Sequence, residues 1–583
     1  MRAQVAWLLC VAAGIACNAA AAEGLYFQSG VYVGNDSPQG QTIPLVNEAD
    51  MFVVGALDAA EPYALGHKAG WFGKPFPLFN AGALHFSARL RHDRIEVVNG
   101  DDISHHNRAG VHYHWHALED PSGRHVVCGD WAGNTLASRT LSIGDHEIEF
   151  IEWKRENQAV KGVFASPHFG AQLADGTEQF NGIRIEGNRL TLAPNDNHFN
   201  WWFNGAGEST SFMALMKGPH VQVSRYKGTG AAQTVRTKFR TLQVVRIIKL
   251  NATHSPTLWQ PTLPAGSHIA MFGKEAGGTG RITAVAGGDI TLSADANVNG
   301  LDADYALVAI GDCEPTVAEP ARPLKSNVRL QLGAGAHVDC GTAGHVDGAF
   351  TLQWVGKHDS RTVPPWREEP SSDAWSPLVW RGAGADDTEG NVNWGMQMGG
   401  NTWGVAPLQG LWVVVHDHYN QRGASFSPDA QGWQTGVAPE PDRLVDIILS
   451  HDGLGGWQIF IDGRLEKYRN LDCLTMTKPG PRPNIKGRPD HRLIYGGRIA
   501  AGGVQQTART TELHSCRLWN RRLMPAEARQ ASLSKYQGQD DAPRTGLVFE
   551  HLASRITGAT LPDSSGNHAE GEIKGGVIVT TAP

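Results

Sequence analysis

The sequence predicts a nearly all-β, multidomain protein. Gly and Pro are abundant, at 69 and 31 of 583 residues. Long amphipathic helical patterns are missing, and short runs alternating apolar and polar residues recur from end to end. About 560 residues follow an apolar leader, too many for one core, so roughly two to four domains are expected. The net charge of -7, with no compensating basic cluster, argues against a nucleic-acid surface.

Residues 1–22 carry one Arg, an apolar stretch from Val5 to Ala16 and small residues at Ala19–Ala22. This is the pattern of a secretory signal peptide, too short and wrongly flanked for a membrane span. The other reading is a lipoprotein signal with Cys17 as the lipidated residue, although Gly14 stands where such signals carry Leu. A secreted mature protein follows from the first reading, and no later stretch is apolar enough to span a bilayer.

Residues 23–250 are expected to form an N-terminal β-sandwich. Its sharpest local feature is a histidine cluster, with His105, His106, His112, His114, His116 and His125 close in sequence to Cys128. On a strand His112, His114 and His116 project to one face, with neighbours roughly 7 Å apart. One H-x-H pair joined by His105, His106 or His125 would suit copper, zinc or iron; all three members of the row cannot reach one ion at about 2.0–2.1 Å. The plain alternative is a polar sheet face, with Tyr113 and Trp115 turned the other way.

The next stretch, "HEIEFIEWKRE", places Glu147, Glu149 and Glu152 together. It resembles the E-x-D-x-x-E strand of laminarinase-type glycosidases. That resemblance implies Glu147 as nucleophile and Glu152 as acid/base, with carboxyls about 5–5.5 Å apart. Glu149 stands where the pattern has Asp and would crowd the pair. The same strand, from Thr140, is similar to one of the anthrax-protective-antigen-type carbohydrate-binding domain, and a solvated acidic face is the remaining reading. Asn195–Gly207 groups Trp201, Trp202 and Phe203, either a loop offering aromatics to a sugar or an edge strand that buries them.

Residues 251–314 are expected to be a small separate β unit with a hairpin at Gly287-Gly288-Asp289. A linker of Pro, Ala and charged residues at 315–325 precedes the last domain. In that domain "RLVDIILSHDGLGGWQIFIDGRLE" (Arg443–Glu466) gives two antiparallel strands with one buried face, and Asp462-Gly463 is a hairpin-turn dipeptide.

Together with "VRLQLGAGAHVDCGTAGHVDGAFTLQWVGKH" (Val328–His358) and "ELHSCRLWNRRLMPAE" (Glu512–Glu527), this segment resembles the laminin-G-like, or concanavalin A-like lectin/glucanase, family. The resemblance implies a two-sheet jelly roll over 326–583 and a binding role toward polysaccharide, glycan or a cell-surface protein. The turn "DSSGN" (Asp563–Asn567) resembles the segment that opens such a domain, yet here it follows it. Either the fold is permuted, with Leu547–Glu550 and Gly571–Val579 closing its sheets, or a second copy is cut short; an open apolar edge disfavours the latter. The resemblance also implies a Cys340–Cys516 disulfide. Five cysteines remain beyond the leader (Cys128, Cys313, Cys340, Cys473 and Cys516), none in a CxxC pair.

Trp366, Trp375, Trp380, Trp394, Trp403, Trp412 and Trp433 would either stack on sugar rings or pack the core. His416, Asp417, His418 and Asn420 form a candidate loop for a glycan or a calcium ion. The function expected is therefore a secreted, carbohydrate- or surface-binding protein. Its rival is an extracellular enzyme that uses Glu147 and Glu152, or a metal at the histidines, with the jelly roll as a targeting module.

Overall fold

The computed structural model describes residues 24–57, 64–67, 88–91, 93–97, 106–132, 138–155, 162–173, 176, 178–193, 209–252, 256–270, 277–318, 322–333, 335–358, 376–382, 392–399, 410–415, 432–434, 443–453, 456–470, 490–500, 503–506 and 510–580. The leader, Cys17, His105, Asn195–Gly207, the His416–Asn420 loop, Cys473, Trp366, Trp375 and Trp403 lie outside them. The protein is all β. Among the described residues the longest helix has nine residues, Pro525–Leu533, and none is long and apolar enough to cross a membrane.

One long sheet organises the molecule. From one edge it runs through Gly170–Leu173, Val163–Ser166, Ile148–Arg155, Ser209–Met216 and Val126–Ala132. It continues through Arg464–Asn470, Gly456–Ile461, Val445–His451, Phe350–His358, Thr511–Trp519, Val328–Leu332 and Val577–Thr580. Leu547–Leu552 also pairs with Thr511–Trp519. The join between its N- and C-terminal halves is a parallel pair, Tyr468 opposite Gly129 and Asn470 opposite Trp131. Only glycine fits there, since a Cβ on Gly129 would lie 1.8 Å from the Tyr468 carbonyl oxygen.

Beside the join, Lys467 Nζ meets Asp130 at 2.7 Å and Arg464 donates to Glu119 Oε1 at 2.8 Å, all four groups withdrawn from water. Arg522 reaches Asp145 at 2.9 Å.

The second jelly-roll sheet runs Gly432–Gln434, Gly410–Val415, Val392–Gly399, Ser376–Gly382, Arg492–Tyr495, His337–Asp339, Gly571–Lys574, Thr560–Leu561. Leu352, Trp354, Trp394, Met396, Ile447 and Tyr495 fill the space between the two sheets. The C-terminal strands enter both sheets: Gly571–Lys574 pairs with His337–Asp339, and Val577–Thr580 with Val328–Leu332. The Asp563 carboxylate organises the approach by accepting from the backbone N–H groups of Glu550, Ser565, Asn567 and Ala569.

Two expectations from the sequence differ from what is seen. In Val445–His451 both faces are buried, not one. Ile447 and Leu449 face the jelly-roll core, while Asp446 and Ser450 turn the other way and are satisfied there. Gln353 donates to Asp446, Lys535 Nζ lies 3.2 Å from it, and Ser450 Oγ donates to the Leu523 carbonyl. The turn itself is as expected for an Asp-Gly hairpin, with positive φ at Asp462 (51°) and Gly463 (81°).

The small β unit does not begin at 251. Leu242–Lys249, placed before that boundary by the sequence, is the central strand of its sheet, between Asp304–Gly311 and Thr257–Trp259, with Val221–Lys227 further out. The strand hides its role because it is buried on both faces and shows no alternation. Val245 and Ile247 pack into the unit's own core, and Val244 and Ile248 pack against the N-terminal part of the long sheet.

Candidate functional site

The histidine row lies on His112–Glu119, the middle strand of a five-stranded N-terminal sheet between Tyr26–Val33 and Met51–Ala56. Its three members share one face, as the spacing required, but that face is a seam and not an open site. His112 is exposed, whereas His114 and His116 are buried beneath residues 260–262 of the small β unit. His116 Nδ1–H donates to Gln260 Oε1 at 2.5 Å, and its ring stacks on Phe27 at 5.9 Å. His114 Nδ1 lies 3.3 Å from Thr262 Oγ1. Burial holds the His116 pKa down at about 4, against the usual 6.5, with nearby Arg246 acting in the same direction.

His106 and His125 do not complete a ligand set. Among the described residues no group of three His, Cys, Asp or Glu side chains is placed to hold a metal ion. The bonds shown for His114 and His116 are therefore packing contacts: their Nδ1 atoms face Thr262 and Gln260 across a seam that a sequence pattern cannot show.

Glu147 and Glu152 are separated by environment. Glu147 is exposed and ion-paired with Lys217 Nζ at 2.6 Å. Glu152 is fully buried and accepts from Arg246 at 2.9 Å. The Arg246 guanidinium lies over the rings of Phe150 and Phe164, at 5.6 and 5.7 Å. Glu149 takes part in neither arrangement; it accepts from the Val223 N–H and meets His168 at 3.0 Å. One carboxylate in solvent and the other sealed against a guanidinium are not arranged here as a nucleophile and acid/base flanking one bond. Through Arg246 the structure joins two features that the sequence kept apart: His116 and Glu152 belong to the same buried seam.

Cys340 and Cys516 are both buried free thiols, not the disulfide that the family resemblance implied. Burial pushes the Cys516 pKa up to about 12 and raises that of Cys340 well above the usual thiol value, with the neighbouring Cys516 adding to the latter. Beside them Tyr495 Oη lies 2.6 Å from His551 Nδ1 inside the core.

The tryptophans of the jelly roll divide by face. In Val392–Gly399, Trp394, Met396 and Met398 point into the core. Gly395 and Gln397 occupy the opposite, outer face of the second sheet. Trp380 is the register partner of Gly395, and its ring lies so close that a Cβ at 395 would be 2.4 Å from Cε3. Along the same face Ile494 pairs with Trp380, and Asp339 pairs with Ile494. Glu572 follows opposite Asp339, and on the other side Trp412 is the register partner of Gln397.

The outer face is thus an aromatic and amide end running into a charged end. Trp380 and Gln397 are 2% and 4% exposed. At the charged end Arg492 is 47% and Glu572 68% exposed, so that end opens to water. The Trp380 Nε1–H and the Gln397 Oε1 find no hydrogen-bond partner among the described residues. A buried donor and a buried acceptor each left unmade cost about 1–3 kcal/mol. The sequence named Trp380 only among seven tryptophans. The alternation "WGMQM", with Gly and Gln between core residues, was the signal that marked its outer-face neighbours.

No family model matches the chain, and no curated protein sequence matches it. Among solved structures the chain is similar to the binding domain of botulinum neurotoxin serotype G, at 10% identity and a TM-score of 0.22, over 36% of this chain and 46% of that one. It is also similar to domain 4 of an extracellular arabinanase from Geobacillus stearothermophilus, solved with arabinotriose, at 10% identity and a TM-score of 0.19, over 35% of this chain and 72% of that one. The binding domain of botulinum neurotoxin serotype D matches at 10% identity and a TM-score of 0.20. The chain spans less than half the length of these neurotoxin domains, 46% and 45%.

Proposed function

We propose that this protein is a secreted carbohydrate-binding protein whose jelly roll takes part in holding a glycan. The observation that supports this is the two-sheet jelly roll of the C-terminal half, into which the last strands pair on both sheets, the architecture that the lectin-like resemblance of its sequence implied. The leader pattern of residues 1–22 supports secretion.

The enzymatic alternative draws no support from the placement of Glu147, Glu152 or the histidine row, which leaves binding as the reading. Its test is incubation of the chain from Glu23 onward with insoluble plant, algal and microbial polysaccharides, scoring both retention on the polymer and release of new chain ends. Retention without release, kept in Glu152→Gln, is the expected result. Retention on none of the polymers would overturn the binding reading, and release of chain ends would make the protein an enzyme.

A further inference from the structure

We infer that His551 is an acid-sensitive latch on the C-terminal closing segment, residues 553–580, which lets go of both jelly-roll sheets before the rest of the fold melts. The His551 side chain is sealed from solvent, and both its ring nitrogens are used. Nε2 lies 2.6 Å from the Ala569 carbonyl oxygen, which can only accept, so Nε2 carries the proton. Nδ1 is then the bare acceptor of a neutral imidazole, and the Tyr495 hydroxyl donates to it at 2.6 Å. The ring is packed between Phe549, stacked at 4.8 Å, and Tyr495, edge-on at 5.6 Å.

These bonds tie three pieces of chain together. His551 belongs to Leu547–Leu552, which pairs with Thr511–Trp519 in the long sheet. Tyr495 belongs to the second sheet, opposite Val338 of His337–Asp339. Ala569 stands two residues before Gly571–Lys574, which pairs with the other side of that same strand. Beyond it, Val577–Thr580 ends the long sheet among the described residues, with Val577 58% and Ile578 51% exposed. Little burial holds the end of the segment once Ala569 is released.

The charges around the ring do not stand ready to receive a cation. Burial lowers the pKa of His551 from the ordinary 6.5, against the pull of Asp563, Glu570 and Glu550. Asp563 accepts from the four backbone N–H groups of its turn, Glu550 is held by Arg517 and Arg544, and Glu570 lies 3.6 Å from His568. Cys516, the register partner of His551, and Cys340, near Tyr495, are thiols that burial keeps neutral. Further along, His337 stands opposite Lys574, and burial together with Lys574 and Arg492 disfavours its charged form. Asp339 meets Arg492 and Lys574, and Glu572 meets Lys574. His514 Nε2 lies 3.1 Å from the Ser326 carbonyl oxygen, beside the strand that Val577–Thr580 joins.

A proton on His551 places a second N–H where Tyr495 donates its own, and leaves a cation in the core. Opening the segment returns the ring to water. Because the folded pKa is lowered, the open chain binds more protons between that value and 6.5. Closure is therefore full above about pH 6.5 and weakens as pH falls toward the folded value. The open form bares the edges of Val328–Leu332 and His337–Asp339, each ready to pair with another strand.

The test is hydrogen–deuterium exchange of the chain from Glu23 onward, read by peptide mass spectrometry at pH 7, 6 and 5 after correction for intrinsic rates. Exchange at the histidine ring carbons is read from the same peptides. Amides of residues 569–580 should lose protection by about ten- to thirtyfold from pH 7 to 5, the effect of one proton taken up on opening. Phe350–His358 and Val445–His451 should keep theirs, and the His551 ring should titrate below 6.5. His551→Asn should make the opening independent of pH, whereas His337→Gln and His514→Gln should each keep the drop.

Should His551→Asn fail to fold, the wild-type readings decide. Protection of 569–580 that does not change with pH, an equal loss throughout the jelly roll, or a His551 ring titrating at 6.5 or above would each overturn the latch. A drop that persists in His551→Asn would overturn it as well.

Discussion

At the scale of single residues, the buried groups of the seam carry the clearest consequences. Removing Glu152 leaves the Arg246 guanidinium buried without its carboxylate. Glu152→Ala is expected to destabilise the fold by about 3–5 kcal/mol, read as a shift in the denaturant midpoint. Glu152→Gln, which can still accept from Arg246, should cost less. His116 gives a pH signature. Its folded pKa of about 4 lies below the ordinary 6.5, so between these values the unfolded chain binds the proton and the folded one does not.

Stability linked to His116 is therefore full above about pH 6.5, is lost as pH falls toward 4, and is flat below. The loss is of the order of 3 kcal/mol. His116→Asn should flatten this limb in urea titrations at pH 7, 5 and 4; an unchanged limb would place the acid sensitivity elsewhere. Both residues were visible in the sequence as candidates. Their type and spacing were legible, but the partners that decide their role, Gln260 and Arg246, come from a different unit of the chain.

At the scale of elements, legibility followed burial. The hairpin of Val445–His451 and Gly456–Ile461 was readable because its core face alternates, and the turn that follows it, Asp462-Gly463 before Arg464–Asn470, because it has a specific backbone need. Leu242–Lys249 was not, because it is packed on both sides and buries Gln243 and Arg246 along with its apolar residues, so no alternation marks a face. The outer face of the second sheet was half legible. Its alternation is in the sequence, but nothing local says that Trp380 rather than Trp394 faces outward.

The parallel pairing of Val126–Ala132 with Arg464–Asn470 left no local signal at all, since it joins segments far apart in the chain. Gly129 is the residue that permits it. Gly129→Ala, which puts a methyl group into the Tyr468 carbonyl, should separate the pair and lower stability by about 1–3 kcal/mol or more. Limited proteolysis should then cut between the two halves; wild-type resistance in the variant would show that the join contributes little.

At the scale of the whole molecule, the continuous sheet predicts one folding unit where the sequence suggested domains divided by the linker at 315–325. The buried pairs Lys467–Asp130 and Arg464–Glu119 span that division, and either half alone would expose an unpaired charge. A single calorimetric transition is expected, with residues 326–583 expressed alone less stable than in the full chain; two independent transitions would contradict a welded architecture.

The functional account stands or falls on whether this body binds a glycan. The measurement that tests it most directly is a calorimetric titration of soluble plant, algal and microbial polysaccharides into the chain from Glu23 onward, with the products assayed for new chain ends. The account predicts saturable binding of at least one of them without release of chain ends. Binding of none of them, or release of chain ends, would contradict it.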